Sequence, residues 1–142
     1  MNLPTELFID TSFFIALTNS RDEDHPYAVN LYDRLQNQGI RKITSEYVLI
    51  ELGDGLSRFK ARNLAQQIIE AVQQDDSFEI VPASTHLFIQ ALRLYQSRPD
   101  KEWGMTDCSS FVIMQQKKLL AALTADHHFA QAGFLSILRT KV

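Results

Sequence analysis

Short apolar runs alternate with longer stretches of helical periodicity along this chain of 142 residues. The first apolar run occupies residues 6–9, and similar runs return near 42–44, 78–81 and 120–124. Strands that alternate with helix-length segments are typical of a parallel sheet covered by helices. The pattern therefore predicts an α/β protein whose central sheet is mainly parallel.

Apolar residues at helical spacing fill the segments between these runs. Pro26 suits the first turn of a helix, and Ser45 begins a helix whose apolar stripe reaches Phe59. Ser84 and Thr106 are predicted to cap two further helices. The predicted helices cover 12–19, 26–39, 45–59, 61–74, 84–95 and 106–117, with a short one after residue 126 and an edge strand at 135–138.

The composition is that of an ordinary globular domain, with 45% hydrophobic and 22% charged residues. No apolar stretch approaches the ~20 residues that span a bilayer, and no basic segment precedes an apolar core near the N-terminus. Cys108 is the single cysteine, which excludes an intramolecular disulfide and a cysteine-based zinc site. We therefore expect one domain over residues 1–142, cytoplasmic and without membrane attachment.

The net charge of −3 argues at first against a nucleic-acid partner. If four of the 17 acidic residues form one metal site, 13 remain against 14 basic residues, and the rest of the surface is close to neutral. Composition alone therefore neither supports nor excludes binding to RNA or DNA.

Four carboxylates stand where an α/β fold gathers its functional groups. Asp10 and Asp126 end predicted strands, while Glu51 and Asp107 lie early in predicted helices. The carboxyl ends of parallel strands meet at one edge of the sheet, so these side chains can converge there. Clustered carboxylates raise one another's pKa unless a cation neutralises them, and Mg²⁺ prefers oxygen ligands. Each residue taken alone also fits a helix cap or a solvated helix face.

Histidine and tryptophan offer weaker indications of function. His127 and His128 follow Asp126, but adjacent histidines rarely face one ion, and we expect surface or polar-packing roles for both. Trp103 is expected to pack in the core rather than to stack on a base.

The four acidic segments together resemble the PIN domain, and in particular the VapC-type toxin ribonucleases of bacterial and archaeal toxin–antitoxin pairs. The resemblance covers nearly the whole chain, and it depends on the order of the four acids in their local contexts. The matching segments are Ile9-Asp10-Thr11-Ser12, residues 44–45 leading to Glu51, residues 103–111, and residues 123–126 with Phe129 and Gly133.

The resemblance implies a three-layer α/β/α sandwich that cleaves RNA with Mg²⁺ or Mn²⁺. It assigns the catalytic and metal-binding roles to an acidic quartet, Asp10, Glu51, Asp107 and Asp126. Because Mg²⁺ is usually held by one or two carboxylates and several waters, we expect Asp10 and Asp107 to be the direct ligands. The other two acids would bind through water, complete a second metal site or orient the nucleophile. The polar residues expected to line or support the site are Thr11, Ser12 and Thr124.

Substrate and partners follow from the same resemblance. RNA phosphates need cations near the acidic edge, and the candidates in this sequence are Arg58, Lys60, Arg62 and Lys101. A solvated surface is the alternative role for these four residues. Members of this type pair with an antitoxin protein and commonly form homodimers, so we expect both kinds of partner here.

Three alternatives stay open beside the toxin ribonuclease. The chain can be a stand-alone PIN nuclease in RNA processing, or a non-catalytic PIN fold that binds RNA or protein. A phosphotransfer protein with an aspartyl intermediate is disfavoured, because Ser12 stands where a haloacid-dehalogenase-type phosphatase has its second aspartate. Gly53 and Gly55 interrupt the helix that carries Glu51; they allow close backbone approach or end the helix early, and an early end would put the orientation of Glu51 in doubt.

Overall fold

The computed structural model describes residues 3–58 and 60–140, which form five strands and eight helices. The strands are β1 (Glu6–Ile9), β2 (Arg41–Ser45), β3 (Phe78–Val81), β4 (Ala121–Leu123) and β5 (Leu135–Ser136). The helices are α1 (Thr11–Thr18), α2 (His25–Asn37), α3 (Glu46–Gly55), α4 (Arg62–Gln74), α5 (Thr85–Ser97), α6 (Met105–Lys117), α7 (His127–Gln131) and α8 (Ile137–Thr140).

All five strands run parallel, in the order β3-β2-β1-β4-β5. Helix α1 contacts α2 and α3, and α3 contacts α4, whereas α5 packs along α6 and α6 contacts α7. Right-handed crossovers place the first four helices on one face of the sheet and α5 to α7 on the other. The predicted three-layer α/β/α sandwich is therefore confirmed. The direction of winding reverses between β1 and β4, where open α/β sheets bind their ligands.

The central strands are buried because helices cover both faces of the sheet. Leu7, Phe8 and Ile9 of β1 are each 0% exposed, which explains why this strand reads as an unbroken apolar run. Beyond the sheet, the ring of Phe111 meets those of Trp103 and Phe129 edge-on, at centroid distances of 5.0 and 4.9 Å. The predicted packing role of Trp103 is therefore confirmed.

Lys42 is an unexpected member of the interior. Its residue is 0% exposed, and its ammonium group donates to Gln36 Oε1 at 3.0 Å and to the Ile40 carbonyl oxygen at 3.4 Å. The same ammonium lies 5.1 Å from the centre of the Phe78 ring. Burial lowers the pKa of Lys42. This charge is held at the start of β2, at the edge of the sheet opposite the carboxyl ends.

Three predicted boundaries are corrected by the structure. Helix α6 begins at Met105 with Gly104 as its N-cap, so the prediction that Thr106 caps this helix was wrong. Residues 137–138 are helical rather than extended, because β5 ends at Ser136 and α8 follows directly. Helix α3 ends at Gly55, short of the predicted stripe, whose last residue Phe59 lies outside the described residues.

Gly53 and Gly55 of α3 are not sites where another helix packs closely against the backbone. A Cβ atom added at Gly53 or Gly55 would meet nothing within 4 Å. The helix ends at the second glycine, so the predicted early end is what occurs. Among the described residues, no helix has the length and apolar character to cross a membrane.

Candidate active site

Asp10 is the buried centre of the acidic edge. It follows β1 directly, its backbone N–H donates to the Leu123 carbonyl oxygen of β4 at 3.1 Å, and the residue is only 4% exposed. Two hydroxyl groups donate to Asp10 Oδ2, from Thr124 at 2.9 Å and from Ser12 at 3.1 Å. The carboxylate is therefore held in one orientation from two sides.

The hydroxyls of Ser12 and Thr124 also connect the carboxyl ends of β1 and β4. The Ser12 hydroxyl oxygen accepts the backbone N–H of Ala125, and the Thr124 hydroxyl oxygen accepts that of Asp126, each at 3.0 Å. Each hydroxyl thus accepts one backbone N–H while its single O–H donates to Asp10. These contacts tie the loop after β4 to the turn after β1.

Glu51 reaches the same edge from α3. Ser45, the last residue of β2, caps this helix by accepting the backbone N–H of Val48 at 3.1 Å. About one and a half helical turns later, Glu51 Oε1 accepts a hydrogen bond from the Thr11 hydroxyl at 2.6 Å. Glu51 therefore keeps a defined orientation, even though α3 ends only four residues further on.

Asp107 and Asp126 face each other across one histidine. Asp107 is the third residue of α6, and its Oδ2 accepts the backbone N–H of Gly104 at 3.1 Å, which satisfies a free donor at the helix start. Asp126 caps α7 by accepting the backbone N–H of His128 at 2.9 Å. The His128 ring returns between the two carboxylates, with Nδ1 at 3.0 Å from Asp107 Oδ2 and 3.2 Å from Asp126 Oδ1.

The charges of the four carboxylates influence one another in pairs. Burial raises the pKa of Asp10 to about 7; the Thr124 hydrogen bond lowers it, and the charges of Asp107 and Glu51 add to the rise. Burial likewise raises the pKa of Asp107; the Gly104 hydrogen bond opposes this rise, and the charge of Asp126 adds to it. Carboxylates that are costly to ionise together provide a site for a cation.

Each carboxylate of the quartet takes its side-chain contacts on a single oxygen. That oxygen is Oδ2 in Asp10 and Asp107, Oε1 in Glu51 and Oδ1 in Asp126. Among the described residues, the second oxygen of Glu51, Asp107 and Asp126 accepts no hydrogen bond, whereas Asp10 takes a further hydrogen bond from the backbone of Thr11. Hard divalent cations such as Mg²⁺ bind several oxygens of this kind, so the donor set fits such an ion.

His128 is the site residue that the sequence analysis missed. Its side chain is 17% exposed and lies inside the acidic edge, whereas the neighbouring His127 side chain is 54% exposed. The expected surface role therefore suits His127 alone. The ligand atoms of Asp126, His127 and His128 lie within 4.8 Å of one another. The sequence offered one indication: the backbone N–H two residues after a capping Asp commonly donates to that carboxylate. In His128 this hydrogen bond also brings the ring close to Asp126.

The basic residues lie outside this network. Arg58 and Lys60 are exposed, and the Arg62 guanidinium donates to the Ser57 carbonyl oxygen at 3.3 Å. Lys60 lines a groove of about 480 Å³ with Thr18, which lies about 10 Å along α1 from Thr11. The structure therefore places Lys60 beside the far end of α1. Its role toward RNA stays a prediction, as do those of Arg58 and Arg62.

Lys101 and Cys108 lie on either side of the start of α6. Lys101 is half-buried in the segment before Gly104, where its backbone N–H donates to the Arg98 carbonyl oxygen at 3.1 Å. Cys108 is 0% exposed, and burial raises the pKa of its thiol to about 11. A thiol of that pKa is a poor nucleophile at neutral pH, so Cys108 is not a candidate nucleophile.

Comparison with known proteins gives consistent matches over nearly the whole chain. The PIN domain model matches residues 7–135. VapC20 of Mycobacterium tuberculosis, described as a 23S rRNA-specific endonuclease, is 28% identical over 131 residues, which are 92% of this chain and 97% of that protein. Its crystal structure, described as that of a Sarcin-Ricin loop cleaving toxin, covers 91% of this chain and 96% of that one with a TM-score of 0.78.

Two more distant structures share the fold. VapBC2 from Rickettsia felis, bound to a DNA fragment from its promoter, matches at 17% identity with a TM-score of 0.63, over 92% of this chain and 96% of that one. FitAcB from Neisseria gonorrhoeae matches at 20% identity with a TM-score of 0.59, over 92% and 94%. The family model, the strand order and the four converging carboxylates agree, and the chain belongs to the PIN-domain family.

Proposed function

We propose that this protein is an endoribonuclease that hydrolyses RNA phosphodiester bonds with a divalent cation held by the acidic quartet. The observation that carries the proposal is the convergence of Asp10, Glu51, Asp107 and Asp126 at one edge, where hydrogen bonds from neighbouring elements hold each carboxylate. The similarity to VapC20, described as a 23S rRNA-specific endonuclease, supports RNA as the substrate.

Mg²⁺ or Mn²⁺ is the proposed cofactor, because the uncommitted donors are carboxylate oxygens. When bound, such an ion neutralises charge on the phosphate and lowers the pKa of a coordinated water. Asp10 and Asp107 are the proposed direct ligands, since both have a pKa raised by burial and gain most from a nearby positive charge. Glu51 and Asp126 are proposed to bind through water or to orient the attacking water.

The hydroxyl groups support these carboxylates rather than react. Ser12 and Thr124 hold Asp10, and Thr11 holds Glu51, at distances of 2.6 to 3.1 Å. Groups that orient ligands in this way commonly tune metal affinity and activity. We therefore propose positioning roles for these three residues.

The proposed biological role is the toxin of a toxin–antitoxin pair. It rests on the similarity to VapC20, whose crystal structure is described as that of a toxin, over 91% of this chain and 96% of that one. An antitoxin protein and a second copy of this chain are the proposed protein partners, and ribosomal RNA is the substrate class to test first.

The function is tested by incubating metal-stripped protein with RNA that contains the Sarcin-Ricin loop, which VapC20 is described as cleaving. We expect cleavage after Mg²⁺ or Mn²⁺ is added and none in EDTA. Asp10→Asn should abolish cleavage, whereas the same change at the exposed Asp33 of α2 should leave it unchanged. Equal cleavage with and without chelator would refute the metal-dependent reaction, and a cation-binding protein that cuts no RNA would favour the non-catalytic alternative.

A further inference from the structure

The His128 ring is held between two carboxylates of the proposed site. Its Nδ1 lies 3.0 Å from Asp107 Oδ2 and 3.2 Å from Asp126 Oδ1, and all three side chains are largely buried, at 17%, 15% and 29% exposed. The backbone N–H of His128 donates to the same Asp126 oxygen at 2.9 Å. One residue therefore contacts Asp126 twice and Asp107 once.

The surroundings of Nδ1 decide where the ring carries its proton. A neutral imidazole has one N–H nitrogen and one nitrogen with a lone pair. A lone pair on Nδ1 would face two carboxylate oxygens and be repelled by both. When both carboxylates are ionised, the proton is therefore placed on Nδ1, so that His128 donates a hydrogen bond to Asp107 Oδ2 while Asp126 Oδ1 lies 3.2 Å from the same nitrogen.

This donor fixes which carboxylate oxygens can reach a cation. Asp107 Oδ2 accepts from the His128 ring at 3.0 Å and from the Gly104 backbone at 3.1 Å. Asp126 Oδ1 is likewise used by the backbone and ring of His128. Without the ring donor, Asp107 would keep one hydrogen bond and would face the charge of Asp126 with no donor between them.

We propose that His128 is a positioning residue that acts through its Nδ1–H. It orients the carboxylates of Asp107 and Asp126 for binding of the divalent cation. The inference rests on the proposed function, since it assumes that these two carboxylates hold that ion. It also accounts for the difference between the adjacent histidines: the His127 side chain is 54% exposed, and its Nδ1 lies 3.7 Å from Asp126 Oδ1.

Substitution of His128 by asparagine or by glutamine distinguishes a role of Nδ1 from a role of Nε2. The side-chain nitrogen of asparagine occupies the position of histidine Nδ1, whereas that of glutamine extends to the position of Nε2. His128→Asn therefore keeps a donor between the carboxylates, and His128→Gln keeps size and polarity but displaces the donor. His127→Gln makes the same chemical change at the neighbouring residue.

Mn²⁺ binding to the metal-stripped full-length variants, measured by titration calorimetry, tests the proposal without any RNA. We expect His128→Gln to weaken binding by about 10- to 100-fold, as is typical when a partner of a metal ligand is lost. The affinity of His128→Asn for Mn²⁺ should stay within a few-fold of the wild-type value, and that of His127→Gln should equal the wild-type value. Urea unfolding in EDTA is run on each variant, so that a fold defect is recognised.

Opposite rankings overturn the inference. Retained binding in His128→Gln with loss in His128→Asn would show that Nε2 is the functional nitrogen. Equal affinity in wild type and both His128 variants would show that the ring has no positioning role, even if RNA cleavage persists. If the wild type and the variants bind Mn²⁺ with the predicted order of affinities but the wild type cuts no RNA, the proposed function is refuted and the role of His128 stands.

Discussion

Replacing Asp10 by asparagine should stabilise the metal-free protein, although it should destroy the activity. Burial and neighbouring charges raise the pKa of Asp10 from 3.8 to about 7, so its ionised form is disfavoured in the native state. At about 1.36 kcal/mol per pKa unit, ionisation costs native stability up to about 4 kcal/mol. The asparagine amide is neutral, and its oxygen can still accept the hydroxyls of Ser12 and Thr124.

The stabilisation should depend on pH in one direction. Below pH 3.8 Asp10 is protonated in both the folded and the unfolded state, and its native contribution is fully present. Between pH 3.8 and 7 the unfolded chain releases this proton while the native state keeps it, so wild-type stability falls as pH rises. Above pH 7 the loss through Asp10 is complete. Asp10→Asn removes this pH-dependent loss of stability. The free energy of unfolding of the variant should therefore exceed that of the wild type by a growing margin from about pH 4 to pH 7.

Urea unfolding in EDTA at pH 5 and pH 8 measures the effect. We expect the free energy of unfolding of Asp10→Asn to exceed that of the wild type by roughly 1–4 kcal/mol at pH 8 and by clearly less at pH 5. Asp33→Asn, at an exposed position of α2, controls for the change in net charge. A variant less stable than the wild type at pH 8, or a difference that is the same at both pH values, would show that Asp10 is chiefly a structural cap.

Two further predictions test the interior and the surface. Ser110 is 0% exposed, and its hydroxyl is the one buried side-chain polar atom without a hydrogen-bond partner among the described residues, so Ser110→Ala should raise the free energy of unfolding by about 1 kcal/mol in urea titrations. Ser109→Ala, which removes a hydrogen-bonded hydroxyl, should give no such gain; equal responses would contradict the reasoning. Replacing Arg58, Lys60 or Arg62 by Ala should weaken binding to unrelated RNAs alike and lower the salt-dependence slope by about 0.7 for each lost phosphate contact. Weakening toward a single RNA would indicate base recognition instead.

The position of the acidic quartet could be predicted because it follows from strand direction. Asp10 directly follows β1 and Asp126 comes shortly after β4, and a parallel sheet brings those strand ends to one edge whatever the details of packing. The apolar runs before them are unbroken because both faces of the sheet are covered. Sheet type and the placement of these two acids are therefore encoded in the same few residues; the predicted sheet is confirmed, and the roles of the acids stay predictions.

The start of α6 could not be predicted so well, because two capping solutions compete within three residues. Thr106 offers a side-chain cap, but the structure uses the extended backbone of Gly104 with Asp107 reaching back to its N–H. This choice turns Asp107 toward the acidic edge as well as toward its own helix. Local preference alone did not distinguish the two, since the contact that favours Gly104 also involves His128 from another element.

Lys42 shows a second limit of sequence patterns. Alternation along Arg41–Ser45 gives no sign that the lysine side chain turns inward, because a lysine is almost never fully buried without partners. Those partners come from α2 and β3: Gln36 accepts a hydrogen bond, and the Phe78 ring lies beneath the ammonium group. Such an arrangement depends on three elements meeting, which no single segment of the sequence records.

The acidic edge links cation binding to folding. Its carboxylates are brought together by hydroxyl and backbone donors and by the ring of His128, and the pKa values of Asp10 and Asp107 show that this arrangement is costly when they ionise. A cation bound only by the native state adds stability of about 2.7 kcal/mol at a concentration 100 times its Kd. That gain is of the same order as the cost of ionising Asp10. Burial, with a smaller contribution from neighbouring charges, is what makes ionisation of Asp10 and Asp107 costly in the native fold, and these two buried carboxylates are the ones proposed to bind the ion directly.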